Sequence, residues 1–297
     1  MFSGSLVALV TPMAADGAID WPAWDRLLDF HMAEGTDGIV VAGTTGESPV
    51  LSAEEIEDLT RRAVLRCHAK LKIIVGAGSH ATDSTLARTY RLSRLGVDAV
   101  MLVTPYYNKP PQEGLYRHFM AAADASAAPV ILYNVPGRTA VDLLPSTVAR
   151  LARHPRIVAI KEATASLSRA REMLEACPAG FVLLSGDDAT AIDLIGVGAR
   201  GVISVSANVA PRRMHEACWA ALAGDVPRAR AIDATLQSLH KDLFLESNPI
   251  PVKWAVARMG IIGNAIRLPL VELERAHHET VLRAMRAAGI TLEDQAA

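Results

Sequence analysis

A lysine follows a run of four apolar residues near the middle of the chain. In the stretch RIVAIKEAT, residues 157–160 are typical of a buried β-strand, and Lys161 comes directly after them. Such a lysine either marks the point where a strand reaches water or is an amine held in an apolar pocket. A desolvated lysine amine readily loses its proton and then forms a Schiff base with a carbonyl compound. Schiff-base chemistry is therefore one of two interpretations of this stretch.

Eight short apolar runs, separated by longer amphipathic segments, predict the fold. Most are almost continuously apolar, which is typical of parallel strands covered on both faces. The candidate strands are residues 5–10, 38–43, 72–78, 99–104, 129–134, 156–161, 181–186 and 201–206. The alternating order predicts an α/β fold, a (β/α)8 TIM barrel. A doubly wound open sheet is the alternative, and the lack of a GxGxxG sequence after the first strand disfavours it.

Local signals indicate the helices between these strands. Ser52 and Glu55 form a capping-box pattern, and Pro22 and Pro145 suit first-turn positions of helices. Three glycines each precede a candidate strand by three residues, where a left-handed conformation can end a helix. They are Gly35, Gly96 and Gly198.

The sequence changes character after the last candidate strand. From about Gly224 onward only helical patterns remain, with no linker or low-complexity stretch before them. We therefore predict a barrel over residues 1–224 and a C-terminal helical extension over residues 225–297. We expect this extension to pack on the barrel rather than to form an independent domain.

Composition excludes several classes of function. The 297 residues are 51% hydrophobic with a formal net charge of −2, so no basic field favours nucleic acid or an anionic membrane. The first apolar run has no basic residues before it and ends early at Pro12, which argues against a signal peptide. Cys67, Cys177 and Cys218 form no CxxC pair, which indicates reduced thiols and a cytoplasmic protein. The histidines form no HxH or HExxH pattern, so we expect no metal site.

Residues that could do chemistry leave the C-terminal ends of the candidate strands, where a (β/α)8 barrel forms its active site. They are Thr44, Thr45, Tyr106, Tyr107, Tyr133, Arg138, Lys161, Gly186, Ile203 and Ser204. A positioned tyrosine can move the protons that Schiff-base formation requires, and Tyr133 lies one strand away from Lys161. The glycine-flanked GTTGES loop offers backbone N–H groups to an anion. Because it lacks the P-loop lysine, we predict a carboxylate there.

Several of these candidates also have a simpler structural interpretation. The GTTGES loop could be an ordinary turn between a strand and a helix, and Arg138 could be a surface charge. Tyr106 suits an aromatic residue packed at an interface. Asp187 and Asp188 after Gly186 are more typical of helix capping than of a metal site.

Seven motifs together resemble a known family. They are GTTGES, TPYYNKP, YNVPGRT, IKEA, LLSGDD, GVISVSAN and NPIPVKWA. They closely resemble the 4-hydroxy-tetrahydrodipicolinate synthase (dihydrodipicolinate synthase) family. This family belongs to the pyruvate-dependent class I lyases that include N-acetylneuraminate lyase. The resemblance runs from GSLVALVTPM almost to the C-terminus.

The resemblance implies a role for each of eight residues. For catalysis it implies that Lys161 forms the Schiff base with pyruvate and that Tyr133 donates and accepts protons. It also implies that Thr44 and Tyr107 complete a proton relay. Tyr107 would reach in from a neighbouring subunit. For substrate binding it implies Thr45 on the pyruvate carboxylate, Arg138 on the carboxylate of L-aspartate 4-semialdehyde, and Gly186 and Ile203 lining the pocket.

The resemblance implies that the protein catalyses the first committed step of diaminopimelate and lysine biosynthesis. It also implies a cytoplasmic homotetramer built from dimers. No cofactor is expected, because the imine itself is the electron sink. A sugar-acid aldolase of the N-acetylneuraminate lyase or 2-keto-3-deoxygluconate aldolase type is the alternative. Arg138 in the YNVPGRT loop favours the synthase, because the sialic-acid lyases lack an arginine there.

Regulation is the point at which the sequence departs from part of the family. Feedback-sensitive members bind L-lysine near the equivalent of Tyr106, and the matching positions here are Ala53, Ile56, His80 and Ser84. Ser84 cannot neutralise an ammonium group and Ile56 offers no hydrogen bond, so we predict weak or absent lysine inhibition.

Two other classes of protein remain as alternatives. A keto-acid sensor without turnover would be expected to lack the amine or the phenol, and both are present. A phosphosugar isomerase barrel usually has its glycine-rich loop after strands 7 and 8, whereas here that loop follows strand 2.

Overall fold

The structure, a computed structural model, describes residues 2–67 and 70–292. Eight parallel strands close into a barrel in sequence order, with the last strand paired to the first. The strands are β1 (Gly4–Ala8), β2 (Gly38–Val41), β3 (Lys72–Gly76), β4 (Ala99–Val103), β5 (Val130–Asn134), β6 (Ile157–Glu162), β7 (Val182–Ser185) and β8 (Gly201–Ser204). The predicted (β/α)8 barrel is confirmed, and each strand lies at one of the eight candidate runs.

Helices separate the strands and continue beyond them. Within the described residues they are α1 (Trp21–Ala33), α2 (Ala53–Cys67), α3 (Thr82–Leu92), α4 (Gln112–Ala125), α5 (Pro136–Thr139), α6 (Pro145–Leu151), α7 (Leu167–Ala176), α8 (Ala191–Gly196), α9 (Pro211–Leu222), α10 (Val226–Ala234), α11 (Gln237–Asp242), α12 (Ile250–Arg258) and α13 (Arg275–Ala287). Short 3-10 turns cover Ser48–Val50 and Ser206–Asn208. No helix in this described part is long and apolar enough to cross a membrane.

The local signals that predicted the helix ends are confirmed. The backbone N–H of Ser52 donates to Glu55 Oε2 at 2.9 Å, and the N–H of Glu55 donates to Ser52 Oγ at 3.1 Å, which is a reciprocal capping box. The three glycines before β2, β4 and β8 have φ angles in the left-handed region, where a Cβ is disfavoured. Their values are 77° for Gly35, 84° for Gly96 and 116° for Gly198.

The apolar core has two layers. The larger lies between the strands and the surrounding helices, and the smaller fills the barrel lumen. The lumen contains Val40, Ile74, Ile131, Ala159 and Ile203, together with the ring of Tyr133. Because side chains fill the lumen, any chemistry must occur at the ends of the strands rather than in a pore.

The C-terminal segment forms the four helices α10 to α13, and α13 packs against α11 and α12. Part of this segment reaches the loop that follows β2, where Lys253 and Arg267 both contact Glu47. Residues 293–297 of the predicted extension lie outside the described residues. The boundary at residue 224 stays a prediction.

Candidate active site

Lys161 lies at the C-terminal end of β6 with only 5% of its surface exposed. Its amine makes no hydrogen bond or ion pair with any described residue. The Nζ atom lies 4.4 Å from the centroid of the Tyr133 ring, because the register of β5 and β6 makes the two residues direct neighbours. The strand therefore does not deliver this amine into water. It holds the amine against a phenol at the top of the lumen.

Glycine leaves the space beside Lys161 open. A Cβ built on Gly186 would lie 2.7 Å from the Cβ of Ala163 and 3.1 Å from Cε of Lys161. Any other residue at this position would push against the lysine side chain. On the adjacent strand β8, Ile203 belongs to the same luminal cluster as Tyr133. Gly186 and Ile203 therefore lie at the end of the barrel that holds the amine.

The loop after β2 brings two threonines to this end of the barrel. Thr44 lines a small cavity together with Tyr133. The hydroxyl Oγ1 of the neighbouring Thr45 accepts a hydrogen bond from Nδ2 of Asn248 at 3.0 Å. Ala42 and Glu47, which flank the threonines, have φ angles of 50° and 60°. Non-glycine residues hold such angles only where the surroundings determine them, and they cluster at functional sites.

A buried ion pair anchors this loop. Lys253 on α12 is 1% exposed, and its Nζ donates to Oε1 of Glu47. Burial lowers the pKa of Lys253, and the adjacent Glu47 carboxylate opposes that effect. The backbone N–H of Arg267 donates to the second oxygen of Glu47 at 3.2 Å, and the Arg267 guanidinium binds Glu55. The C-terminal segment thus fixes the backbone that carries Thr44 and Thr45.

Arg138 lies on α5 at the rim of the site. Its side chain is exposed, and Nη2 donates to the backbone carbonyl of Asn248 at 3.2 Å. No carboxylate of the described residues pairs with it. The guanidinium therefore keeps free donors that a substrate carboxylate could use.

A polar network behind the barrel wall fixes the ends of β5 and β6. Nδ2 of Asn134 donates to Oε2 of Glu162 at 3.0 Å and to Oδ1 of Asp142 at 3.0 Å. Arg169 binds both carboxylates, with Nε 3.2 Å from Glu162 and Nη2 2.7 Å from Asp142. Asn134 and Glu162 directly follow Tyr133 and Lys161 in sequence. The network therefore fixes the strand ends that position the phenol and the amine.

Tyr107 is the one predicted catalytic residue that the chain does not bring to the others. Its side chain is 90% exposed, its φ is 74°, and it makes no hydrogen bond or ring contact with any described residue. The neighbouring Tyr106 packs edge-on against His80, with ring centroids 5.2 Å apart.

The two aspartates after Gly186 have different functions. Asp187 accepts hydrogen bonds from the N–H and the hydroxyl of Thr190, so it closes the turn that precedes α8, whose N-cap residue is Thr190. The capping interpretation is wrong for Asp188, because its carboxylate instead accepts from the backbone N–H groups of Val205 and Ser206 at 2.9 Å each. Across residues 2–67 and 70–292, no group of three or more His, Cys, Asp or Glu side chains could hold a metal ion.

Sequence reasoning missed three residues that support the site. Glu47 and Asn248 belong to motifs that carried the resemblance, but neither was given a role. Lys253 lies in an otherwise apolar stretch, PVKWAVA, much as Lys161 does in its strand. A charged residue inside an apolar run is the signal that could have identified Lys253.

The fold and the site together define a (β/α)8-barrel enzyme with a buried, unpaired amine at its catalytic end. A family model described as the dihydrodipicolinate synthetase family matches residues 1–288. The 4-hydroxy-tetrahydrodipicolinate synthase of Methylococcus capsulatus is 54% identical over 290 residues, covering 98% of this chain and all of that one. The synthase of Nitrosomonas eutropha is 53% identical over 292 residues, covering 98% and 100%. The chain therefore belongs to the dihydrodipicolinate synthetase family of lyases.

Solved structures agree with this assignment. The chloride-inhibited dihydrodipicolinate synthase of Acinetobacter baumannii, crystallised with pyruvate, has a TM-score of 0.96 and 46% identity, covering 98% of this chain and all of that one. A dihydrodipicolinate synthase described as a monomeric variant has a TM-score of 0.95 and 38% identity, covering 98% of each chain. These names favour the synthase over the sugar-acid aldolase alternative.

Proposed function

We propose that this enzyme condenses pyruvate with L-aspartate 4-semialdehyde, through a Schiff base on Lys161, to give 4-hydroxy-tetrahydrodipicolinate. The observation that carries the proposal is the placement of Lys161, which is buried, unpaired and next to the Tyr133 ring. A buried lysine amine that no carboxylate holds is free to add to a carbonyl carbon as a nucleophile. The synthase of Acinetobacter baumannii was crystallised with pyruvate, which supports pyruvate as the first substrate. The aldehyde substrate is the one that the resemblance to the family implies.

The reaction proceeds through one imine on the enzyme. The neutral amine of Lys161 attacks the ketone of pyruvate, and Tyr133 moves the protons that allow water to leave. Loss of a methyl proton from the imine gives an enamine, which attacks the aldehyde carbon of the second substrate. The amino group of that substrate then displaces Lys161, closes the ring and frees the enzyme. One water is lost overall, and the imine itself accepts the electron pair in the enamine step.

The remaining residues bind and relay protons. The Thr45 hydroxyl holds the pyruvate carboxylate, and Arg138 holds the carboxylate of the aldehyde substrate. Gly186 leaves room for the pyruvyl group, and Ile203 lines the pocket floor. The cavity shared by Thr44 and Tyr133 provides the path by which protons leave the phenol.

Tyr107 completes that path from a second subunit. The Tyr107 side chain is exposed on a left-handed backbone and makes no hydrogen bond or ring contact with residues 2–67 and 70–292, and an interface would supply such contacts. We therefore include a homotetramer built from dimers, acting in the cytoplasm, in the proposal. One structural relative is described as a monomeric variant, so in that protein the same fold occurs without assembly.

Trapping with borohydride tests the proposal directly. We expect pyruvate and borohydride to leave one reduced pyruvyl group, located on Lys161 by peptide mass spectrometry, and Lys161→Ala to abolish it. Lys253 is an internal control, because it is equally buried but paired with Glu47 and should carry no adduct. Folded wild-type protein without an adduct on Lys161 would refute the Schiff-base mechanism.

A further inference from the structure

Asn248 connects the two residues that bind substrate carboxylates. It precedes α12 and is 6% exposed. Its side-chain Nδ2 donates to Thr45 Oγ1 at 3.0 Å, and its backbone carbonyl accepts from Arg138 Nη2 at 3.2 Å. A single residue outside the barrel strands thus contacts the proposed pyruvate site and the proposed aldehyde site.

The bond to Thr45 determines what its hydroxyl can do. A threonine hydroxyl has one proton to donate and lone pairs that accept. Because Oγ1 accepts from the Asn248 amide, the hydroxyl proton remains available for an anionic oxygen. Asn248 therefore orients Thr45 as a donor to the pyruvate carboxylate.

The other end of the same amide has no partner. Oδ1 of Asn248 is buried, yet it accepts no hydrogen bond from any described residue. Buried polar atoms are nearly always hydrogen-bonded, so an unpaired acceptor beside two substrate-binding residues indicates that a ligand supplies the donor. Pyruvate cannot do so, because its anion carries no N–H or O–H group.

We propose that Asn248 Oδ1 accepts a hydrogen bond from the α-amino group of the aldehyde substrate and so selects an α-amino acid over its deaminated analogue. This inference rests on the proposed function and adds a specificity residue to it. In an α-amino acid the amino group and the carboxylate share one carbon atom. A carboxylate bound by Arg138 therefore brings the amino group to the residue whose backbone holds that guanidinium.

The same contact orients the substrate for the last step. The amino group must displace Lys161, so it has to be held on the side of the aldehyde chain that faces the imine. Asn248 Oδ1 accepts from one N–H of the amino group, so the nitrogen can still direct its lone pair toward the imine carbon. Asn248 is in this sense a positioning residue as well as a contact to the substrate.

A comparison of two aldehydes tests the inference. L-aspartate 4-semialdehyde and succinate semialdehyde have the same carbon chain and carboxylate, but only the first has the amino group. We expect Asn248→Ala to lower kcat/KM for L-aspartate 4-semialdehyde about 10-fold or more, as for the loss of a hydrogen bond to a charged group. The inhibition constant of succinate semialdehyde should differ between the wild type and Asn248→Ala by a much smaller factor.

Two further variants sharpen the test. Asn248→Asp keeps an acceptor for the amino group but cannot donate to Thr45, so it should raise the KM for pyruvate while retaining the preference for the amino aldehyde. This variant also serves if Asn248→Ala does not fold. Ser247→Ala, at the exposed neighbouring residue, is the matched control. It should change neither the KM for pyruvate nor the kcat/KM for L-aspartate 4-semialdehyde.

The outcomes separate the inference from the proposed function. Suppose that wild type and variant both carry the adduct on Lys161, and that Asn248→Ala weakens the interaction with both aldehydes equally or with neither. This result would overturn the role of Asn248 and leave the Schiff base intact. Absence of the adduct in wild type would instead overturn the proposed function, and the inference would fail with it.

Discussion

Two lysines illustrate how surroundings decide the function of a residue. Lys161 and Lys253 are both buried, and both interrupt apolar runs. Glu47 pairs with Lys253, so that amine serves as an anchor. Lys161 has no carboxylate partner among the described residues and faces an aromatic ring instead. We expect the pairing, rather than the depth of burial, to distinguish a reactive amine from a structural one.

A second buried residue, His31, makes the stability of the protein depend on pH. His31, in the last turn of α1, is completely buried, with Nδ1 2.8 Å from Thr36 Oγ1 and no partner for Nε2. Burial lowers its pKa from 6.5 to about 3. The unfolded chain therefore binds a proton near pH 6.5 while the folded protein does not, so stability is lost as pH falls through that value.

We expect His31→Gln to flatten this dependence. The proton uptake of His31 alone should cost roughly 2 kcal/mol of unfolding free energy between pH 7.5 and pH 5. Denaturant unfolding at both pH values measures the difference, and the exposed His80→Gln serves as control. An unchanged slope in His31→Gln would mean that His31 is not held neutral.

At the scale of elements, the loop after β2 and the C-terminal segment are joined by direct contacts. The loop after β2 carries Thr44 and Thr45 on a backbone with two left-handed residues. Glu47 in that loop is held by α12 and by Arg267 beyond it. The helices after the barrel therefore contribute directly to the geometry of the site.

Breaking this anchor should be costly. Lys253→Met leaves the Glu47 carboxylate buried without its cation, and we expect the unfolding free energy to fall by about 3–5 kcal/mol. Denaturant titration measures the loss. The double variant Glu47→Gln with Lys253→Met removes both charges and should recover part of the stability. Equal losses in the single and double variants would contradict a charge-based anchor.

The sequence predicted some of these elements and not others. Strand runs and the lysine after the sixth strand were sufficient to place Lys161 beside Tyr133, because parallel register makes adjacent strand ends neighbours. The contacts of Asn248 with Thr45 and of Lys253 with Glu47 join residues 203 and 206 positions apart. A charge inside an apolar run could have singled out Lys253, but no local pattern encodes which distant residue it or Asn248 contacts, so these pairs became visible only in the structure.

At the scale of the whole molecule, the positions that match the lysine-binding residues of feedback-sensitive members lie near Tyr107, the residue proposed to enter a second subunit. Ala53, Ile56 and Ser84 line a groove between α2 and α3, and His80 packs on Tyr106 close to the exposed Tyr107. Among the described residues that line the groove, Glu57 is the single carboxylate, and it is already paired with Arg91 at 2.6 Å. This described lining therefore offers a lysine ammonium group no free anionic partner.

We accordingly expect millimolar L-lysine to leave the reaction rate essentially unchanged. A steady-state titration with both substrates present measures this, and D-lysine at the same concentration controls for ionic strength. Strong, saturable inhibition by the L-isomer alone would contradict the prediction.

The long-range anchor of Glu47 has a consequence for how the enzyme is made. On the ribosome, Glu47 emerges about 200 residues before Lys253 and 220 before Arg267. At about 5–20 residues per second, roughly 10–40 s pass between the synthesis of Glu47 and that of Lys253 and Arg267. A nascent or prematurely terminated chain is thus expected to lack activity even when most of its strands have been synthesised. We therefore expect the proposed chemistry of Lys161 to require that the chain has been synthesised past Arg267.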